Sequence, residues 1–342
     1  MALRGRGSMC MSRNTPELGI ALAAYRPNPS FFAAQLDSIT DQTYKNWICL
    51  IGLDSKLEEL QGSPELAPFL IDPRFVFLEN RSRLGHKKNF ENTARELLRK
   101  FPTLEFISFC DQDDVWYPEK LEKSIALLRT LPPYSGVQTD MHVLLPDGTQ
   151  VLGWAYENKV MNHPGLPSMI CNNHVAGTAL VLRSEVIRDY GSIPDSFEFH
   201  DHWYGLIAST LGLIAPLPEP LFQYRQHGLN VTGASESVGL LKIRRQSGLF
   251  GALRESHARF RQCQNRLRDF ASATRKNHFT AGWLYFSRLD LGIGFLLLAL
   301  RHLVCRDQRR ARSVLSMLAG KLVWIFGLQR LLNQYASQAH KL

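Results

Sequence analysis

Between residues 18 and 131 short apolar runs alternate with amphipathic segments, and this alternation restricts the fold more than any other feature. The runs LGIALAAYRPNP (18–29), NWICLIGLDS (46–55), RFVFLEN (74–80) and LEFISFC (104–110) read as buried strands. The segments between them have helical spacing. SFFAAQLDSITDQ (30–42) places Phe32, Leu36 and Ile39 on one face behind Ser30 as N-cap, and HKKNFENTARELLRKF (86–101) is amphipathic. PEKLEKSIALLRTL (118–131) opens with a proline and acids in its first turn. Strands that alternate with helices predict an α/β fold, a mostly parallel sheet flanked by helices. Ligands of such sheets sit at the carboxyl ends of the strands.

A second block follows. SGVQTDMHVLL and TQVLGWAY, joined by Pro146, Asp147 and Gly148, read as a hairpin, and VAGTALVLRSEVI (175–187) as a strand running into a helix. Past residue 240 the chain reads as helical, apolar and arginine-rich.

The fourth strand drives directly into charge. In FISFCDQDDVWYPEKL (106–121) the apolar run ends on Asp111, Asp113 and Asp114. Like charges at the mouth of a buried strand repel unless something positive lies between them. Capping of the next helix by Asp113 or Asp114 accounts for one acid or two. A divalent cation accounts for the set, because hard oxygen ligands at alternating positions can share one ion. Both readings stand on these residues alone.

FCDQDDVWYPEKL closely resembles the D-x-D segment of family 2 glycosyltransferases, especially a bacterial branch that includes many rhamnosyltransferases. Other segments resemble the same family in the same order. IALAAYRPN is similar to its first strand and nucleotide-binding turn, FFAAQLDSITDQTYKNW to the helix and turn leading to strand two, and NRSRLGHKKNFENTARE to a basic, amide-rich edge near the diphosphate. FHDHW resembles the segment that holds the catalytic base, and YRQHGLNVTG a segment near the metal. The resemblance runs from about residue 17 to about 233 and implies a GT-A fold, with a nucleotide half (17–130) and an acceptor half (131–235); residues 236–342 read separately as a basic helical C-terminal extension. It implies transfer of a sugar from a nucleotide diphosphosugar with inversion at the anomeric carbon.

The resemblance also assigns residues. Asp113 matches the metal-binding acid, Asp111 the acid facing the ribose and the metal's water shell, and Asp201 the base that takes the acceptor's proton. Ala24, Tyr25, Arg26, Asp54, Asn89, Asp111 and Arg225 are the expected substrate-binding residues, Asp113 and His227 the expected ligands of a divalent cation, Mn or Mg. An imidazole beside carboxylates suits Mn²⁺, and Arg225 suits a diphosphate clamp. Asp114 is left as a supporting acid or a helix cap. Asp201 also reads as an N-cap acid, a role compatible with catalysis. His200 and His202 read as hydrogen-bonded structural residues. Asn172, Asn173 and Gly177 read as acceptor-pocket lining or as core, with close backbone approach at the glycine. One departure stands out. The family's acidic string after strand two is GLDSK here, with Leu53 at its first position and Asp54 at its second, so uridine and thymidine diphosphosugars both stay open.

At 342 residues with 45% hydrophobic and 21% charged, the composition is that of a globular protein and excludes a disordered one. Six scattered cysteines without a C-x-x-C pair argue against a zinc site or disulfide framework and fit a reducing compartment. Residues 1–16 lack the apolar core of a signal peptide and are expected to be disordered. Charge is uneven: residues 1–240 hold 21 Lys and Arg against 27 Asp and Glu, a net −6, and residues 241–342 hold 19 against 4, a net +15. The longest wholly apolar run there, Leu291 to Leu300, is well short of the roughly 20 residues that span a bilayer. An anionic membrane surface is the expected partner of this region, with a solvated face or dimer surface as the alternative. No nucleic-acid-binding module is recognisable. The expected location is cytoplasmic, peripheral at the inner face of the bacterial membrane, with a glycan or lipid-linked saccharide as acceptor. Two rival readings are a catalytically inactive scaffold subunit and another metal-dependent nucleotide enzyme. The second would need a Gly-rich phosphate loop after the first strand, and AAYRPNPS has none.

Overall fold

The computed structural model describes residues 15–145, 148–152, 166–227 and 236–274, with a few positions between 315 and 322. The first half comprises β1 (Leu18–Ala24), α1 (Pro29–Thr40), β2 (Trp47–Leu53), the short α2 (Glu58–Gln61) and α3 (Ala67–Ile71), β3 (Phe75–Glu79), α4 (His86–Lys100), β4 (Phe106–Cys110), β5 (Val115–Trp116) and α5 (Lys120–Arg129). The second comprises β6 (Gly136–Leu144), β7 (Gln150–Leu152), α6 (Leu166–Cys171), β8 (Leu180–Arg183), α7 (Glu185–Tyr190), α8 (His200–Leu211), β9 (Ile214–Arg225) and α9 (Glu236–Thr274).

The strands form one sheet in the order β3-β2-β1-β4-β8-β6-β9-β5, with β7 paired to β6. β1 to β4 are parallel. β8 reverses against β4 and β6 reverses again, so β6 and β9 return to the direction of β1. The mostly parallel sheet is thus as the sequence predicts. The loops after β1, β2, β4 and β9 all leave the same edge, and Tyr25, Arg26, Asp54, Asp111, Asp113 and His227 lie on them.

Period-two side chains explain why both faces are covered. Leu18, Ile20 and Leu22 join Trp47, Cys49 and Ile51 in one core, while Ala21, Ile48 and Leu50 face the other. A strand buried on both faces has to read as a continuous apolar run, which is what β1, β2 and β4 do.

Several local expectations are corrected. Asn28, not Ser30, caps α1: its Oδ1 accepts from the Phe31 N–H at 3.1 Å, because Pro29 with its fixed φ starts the helix one residue earlier. α5 begins at Lys120 behind Glu119, with β5 intervening, so neither Asp113 nor Asp114 caps it. The strand running into a helix expected over 175–187 is present as β8 followed by α7, and only its start differs, since Gly177–Ala179 form a 3₁₀ turn. β6 and β7 pair antiparallel as the expected hairpin, although Pro146, Asp147 and the run from 153 lie outside the described residues.

The start of the C-terminal extension is a wall of the fold. Phe260, Cys263, Leu267 and Phe270 of α9 recur at helical spacing and lie in the same core as Phe109, Trp203 and Tyr204. The N-terminal residues 1–14 and most of 275–342, where disorder and the basic tail were expected, lie outside the described residues. Among the described residues no helix is long and apolar enough to cross a membrane.

Candidate active site

The turn after β1 opens the site. Ala24 is buried and its carbonyl accepts from the Asp54 N–H at 2.9 Å. The Tyr25 N–H donates to Gln112 Oε1 at 2.8 Å, tying this turn to the acidic loop. The exposed Tyr25 ring carries the Arg83 guanidinium 4.0 Å from its centroid. Arg26 adopts φ 42° and faces Glu59 at 3.7 Å.

Two expected substrate contacts are placed differently. Asp54 accepts from Asn80 Nδ2 at 2.9 Å, the Leu84 N–H at 3.0 Å and the Gly85 N–H at 2.8 Å, so its carboxylate is engaged in shaping the 80–85 loop. Asn89 is 2% exposed; it donates to the Gly52 carbonyl at 2.8 Å and accepts from Asn80 at 3.0 Å. It therefore fastens α4 to β2 and has no open face toward a ligand. Amide-rich spacing alone could not tell an interior asparagine from one facing the cleft.

The acidic loop is held by the end of β9. The Arg225 N–H donates to Asp114 Oδ1 at 3.2 Å, and its Nε to the Asp113 carbonyl at 3.1 Å. The guanidinium sits 4.3 Å from the Phe31 ring centroid, and the His227 ring stands 5.9 Å from the same ring. His227 Nε2 and Asp113 Oδ2 are 2.9 Å apart. Burial and the neighbouring Asp111 lift Asp113 above its ordinary range against the pull of His227, and burial lifts the fully buried Asp114 further. Among the described residues no group of three or more His, Cys, Asp or Glu is assembled as a ligand set. Asp113 and His227 are a carboxylate–imidazole pair, a donor set that fits a divalent cation whose remaining ligands come from elsewhere.

Asp201 lies in the first turn of α8. Its Oδ1 accepts from Asn173 Nδ2 at 2.8 Å and from the His202 N–H at 2.7 Å. Burial pushes its carboxyl up to about 6, against the opposing pull of His86, Asn173 and the His202 N–H. A carboxylate with that affinity takes a proton near neutrality far more readily than an exposed one. His202 is buried and hydrogen-bonded, as the sequence suggests, whereas the buried His200 has no hydrogen-bond partner at either ring nitrogen among the described residues. The His202 ring contacts the Met169 carbonyl at 2.6 Å, and the His200 ring stacks on Phe90 at 3.9 Å between centroids. A Cβ at Gly177 would stand 2.6 Å from His200 Nε2, which accounts for the glycine.

His86 was not expected. It opens α4 directly after Gly85, whose φ of +78° turns the chain into the helix. Its Nε2 lies 3.8 Å from Asp111 Oδ1, and its ring is 5.4 Å from that of His200, the neighbour of Asp201. Burial works against its cation, yet the nearby Asp111 carboxylate, with Asp201 and Asp113 beyond, raises its pKa above the ordinary value. The signal available in sequence was a histidine between a glycine and an amphipathic helix, which has many structural uses.

The structure superposes on that of S. aureus TarS 1-349, solved in complex with UDP-GlcNAc, with a TM-score of 0.50 at 12% identity, covering 91% of this chain and 92% of that one. The two chains share a fold. In sequence the chain is 24% identical over 224 residues to an uncharacterized glycosyltransferase of Haemophilus influenzae, covering 63% of this chain and 67% of the relative. It is 28% identical over 112 residues to the amylovoran biosynthesis glycosyltransferase AmsB of Erwinia amylovora, covering 33% of this chain and 36% of that protein. No protein-family model matches the chain. The chain is thus a distant relative of glycosyltransferases.

Proposed function

We propose that this protein is a metal-dependent, inverting glycosyltransferase of the family 2 type, moving a hexosyl unit, with rhamnose the leading candidate, from a nucleotide diphosphosugar to a glycan or lipid-linked saccharide in cell-surface polysaccharide synthesis. The observation that carries it is Asp201, a carboxyl raised to about 6, oriented by Asn173 and near enough to His86 and Asp111 for their charges to act on it. Inversion by direct displacement needs one such base facing the leaving group across the sugar. Asp201 removes the acceptor hydroxyl's proton as its oxygen attacks the anomeric carbon, and the bond to the diphosphate breaks on the other face. The nucleoside lies against the turn of Ala24, Tyr25 and Arg26, with Asp111 at the ribose and Arg225 at the diphosphate.

Asp113 and His227 would hold the divalent cation, Mn or Mg, which when bound neutralises charge on the departing diphosphate. TarS was solved with UDP-GlcNAc, and that supports a nucleotide-sugar donor here. The engagement of Asp54 with its own loop leaves the base open between uracil and thymine. We place the enzyme at the cytoplasmic membrane surface, held by the basic residues beyond 274.

The test is transfer and donor hydrolysis with UDP- and dTDP-sugars, with and without Mn²⁺, beside Asp201→Asn. Metal-dependent turnover of one donor that disappears in the variant supports the reading. A folded protein that binds neither nucleotide overturns it and favours a scaffold role.

A further inference from the structure

We propose that Arg266, on α9, is a positioning residue for Asp201: it clamps together the two chain segments that deliver Asp201 and its hydrogen-bond partner Asn173. The inference rests on the reading of Asp201 as the base.

Arg266 lies 7% exposed on the core-facing side of α9, beside the buried Cys263 and Leu267. Its Nη1 donates to the Ile170 carbonyl at 3.2 Å and the Cys171 carbonyl at 3.5 Å. These are the last carbonyls of α6, which lack partners within their helix, and a cation there is favoured by the helix dipole. Asn173 follows two residues later. The Arg266 Nε donates to the Ser196 carbonyl at 3.1 Å, and the guanidinium lies 5.7 Å from the Phe197 ring centroid. That loop runs straight into α8 and Asp201.

Two further contacts close the clamp. Ser196 Oγ donates to Asp269 Oδ2 at 2.6 Å, one turn along α9. From the opposite side Lys87 Nζ donates to the Phe197 carbonyl at 2.9 Å. A buried guanidinium is costly unless its donors are satisfied, and its planar fork can bridge two segments in a way that a lysine ammonium cannot. The long basic helix therefore begins as a working part of the acceptor half.

The test reads the Asp201 carboxyl directly, so it does not depend on which sugar or nucleotide the enzyme takes. The full chain is labelled at aspartate Cγ, the Asp201 resonance is assigned with Asp201→Asn, and its titration is followed by NMR. The groups that bear on this carboxyl are His86 of α4, Asp111 after β4, Asn173 after α6 and the His202 N–H of α8; all are kept in the Arg266 variants. Arg266→Lys keeps the buried charge but cannot bridge both segments. It is expected to raise the Asp201 midpoint by about one pH unit, as Asn173→Ala should, through loss of one hydrogen bond to a charged group. Arg266→Gln is expected to do the same, and adding Asn173→Ala to either variant should move the midpoint no further. Asp269→Asn, at the more exposed end of the clamp, should give a smaller move and keeps the test readable if Arg266 variants fold poorly.

An Asp201 midpoint that stays in place in the Arg266 and Asp269 variants while Asn173→Ala moves it overturns the proposal, whatever their melting temperatures. So do fully additive effects. Loss of transfer in Asp201→Asn is a separate result, so failure of the function and failure of the clamp are distinguishable.

Discussion

Asn173 and Asp201, 28 residues apart in sequence, are joined by a 2.8 Å hydrogen bond in which the amide of one orients the carboxylate of the other. Asn173 follows α6 and Asp201 opens α8. The bond fixes which oxygen of Asp201 is occupied by the protein and which is left for a proton.

The first consequence concerns activity and pH. Asp201→Asn should lower transfer by about 10²- to 10⁴-fold with nucleotide binding intact. In the wild type the rate should rise through about pH 6 as the carboxyl ionises. Because its folded pKa lies above the ordinary carboxylate range, the folded state keeps a proton that the unfolded chain has lost. Stability should therefore fall as pH rises through that window. Asp201→Asn should melt higher than wild type at pH 8, and thermal scans at pH 4 and pH 8 check the sign.

His86 supplies the opposing charge. Its imidazolium is held by Asp111 and pulls the Asp201 pKa down. His86→Gln should shift the acidic limb of the pH–rate profile upward, leaving Asp201 protonated over more of the neutral range. An unmoved limb would count against any electrostatic link between the donor side and the base.

Calorimetry of UDP and of dTDP with and without Mn²⁺ examines the cation. Asp113→Ala should abolish the metal-dependent part of nucleotide affinity, and His227→Ala should weaken it. Metal-independent binding of equal strength in all three proteins would remove this pair from the ligand set.

Beneath the acidic loop Lys120 is fully buried, with its ammonium 3.9 Å from the Trp116 ring centroid and no hydrogen-bond partner among the described residues. Burial depresses its pKa to about 7, against the opposing pull of Cys110 and Asp114. The unfolded chain binds the proton more tightly, so this group should add stability as pH rises from about 7 toward 10. Lys120→Met should remove that slope and stabilise the protein at pH 6 by about 1–4 kcal/mol. Urea melts at the two pH values distinguish the outcomes.

Gly177→Ala places a methyl group against His200 and should cost about 1–3 kcal/mol through overpacking. Since His200 precedes Asp201, transfer should fall along with the melting temperature. A variant with native stability and rate would show that the α8 terminus yields freely.

The periodicity of β1, β2, β4, α1 and α4 was readable because side-chain spacing reports local conformation and which face is buried. The acidic run at 111–114 and Asp201 stood out because charge beside apolar sequence needs a physical reason. Asp54 and Asn89 were legible as polar residues in the right segments, yet their partners belong to other elements. Asn80, Gly85 and Gly52 occupy their hydrogen-bonding groups, and no spacing rule reports such pairings.

The amino-acid order by itself thus determined an alternating α/β chain, the strand that ends in carboxylates, and the type of residue that could serve as base. Tertiary structure decided the rest: that His86 lies between Asp111 and the start of α8, that Asn173 reaches Asp201, and that α9 closes the core through Arg266. Burial and hydrogen-bond satisfaction belong to pairs of elements brought together by the fold. Their pKa consequences exist only once desolvation and distant charges meet at one point.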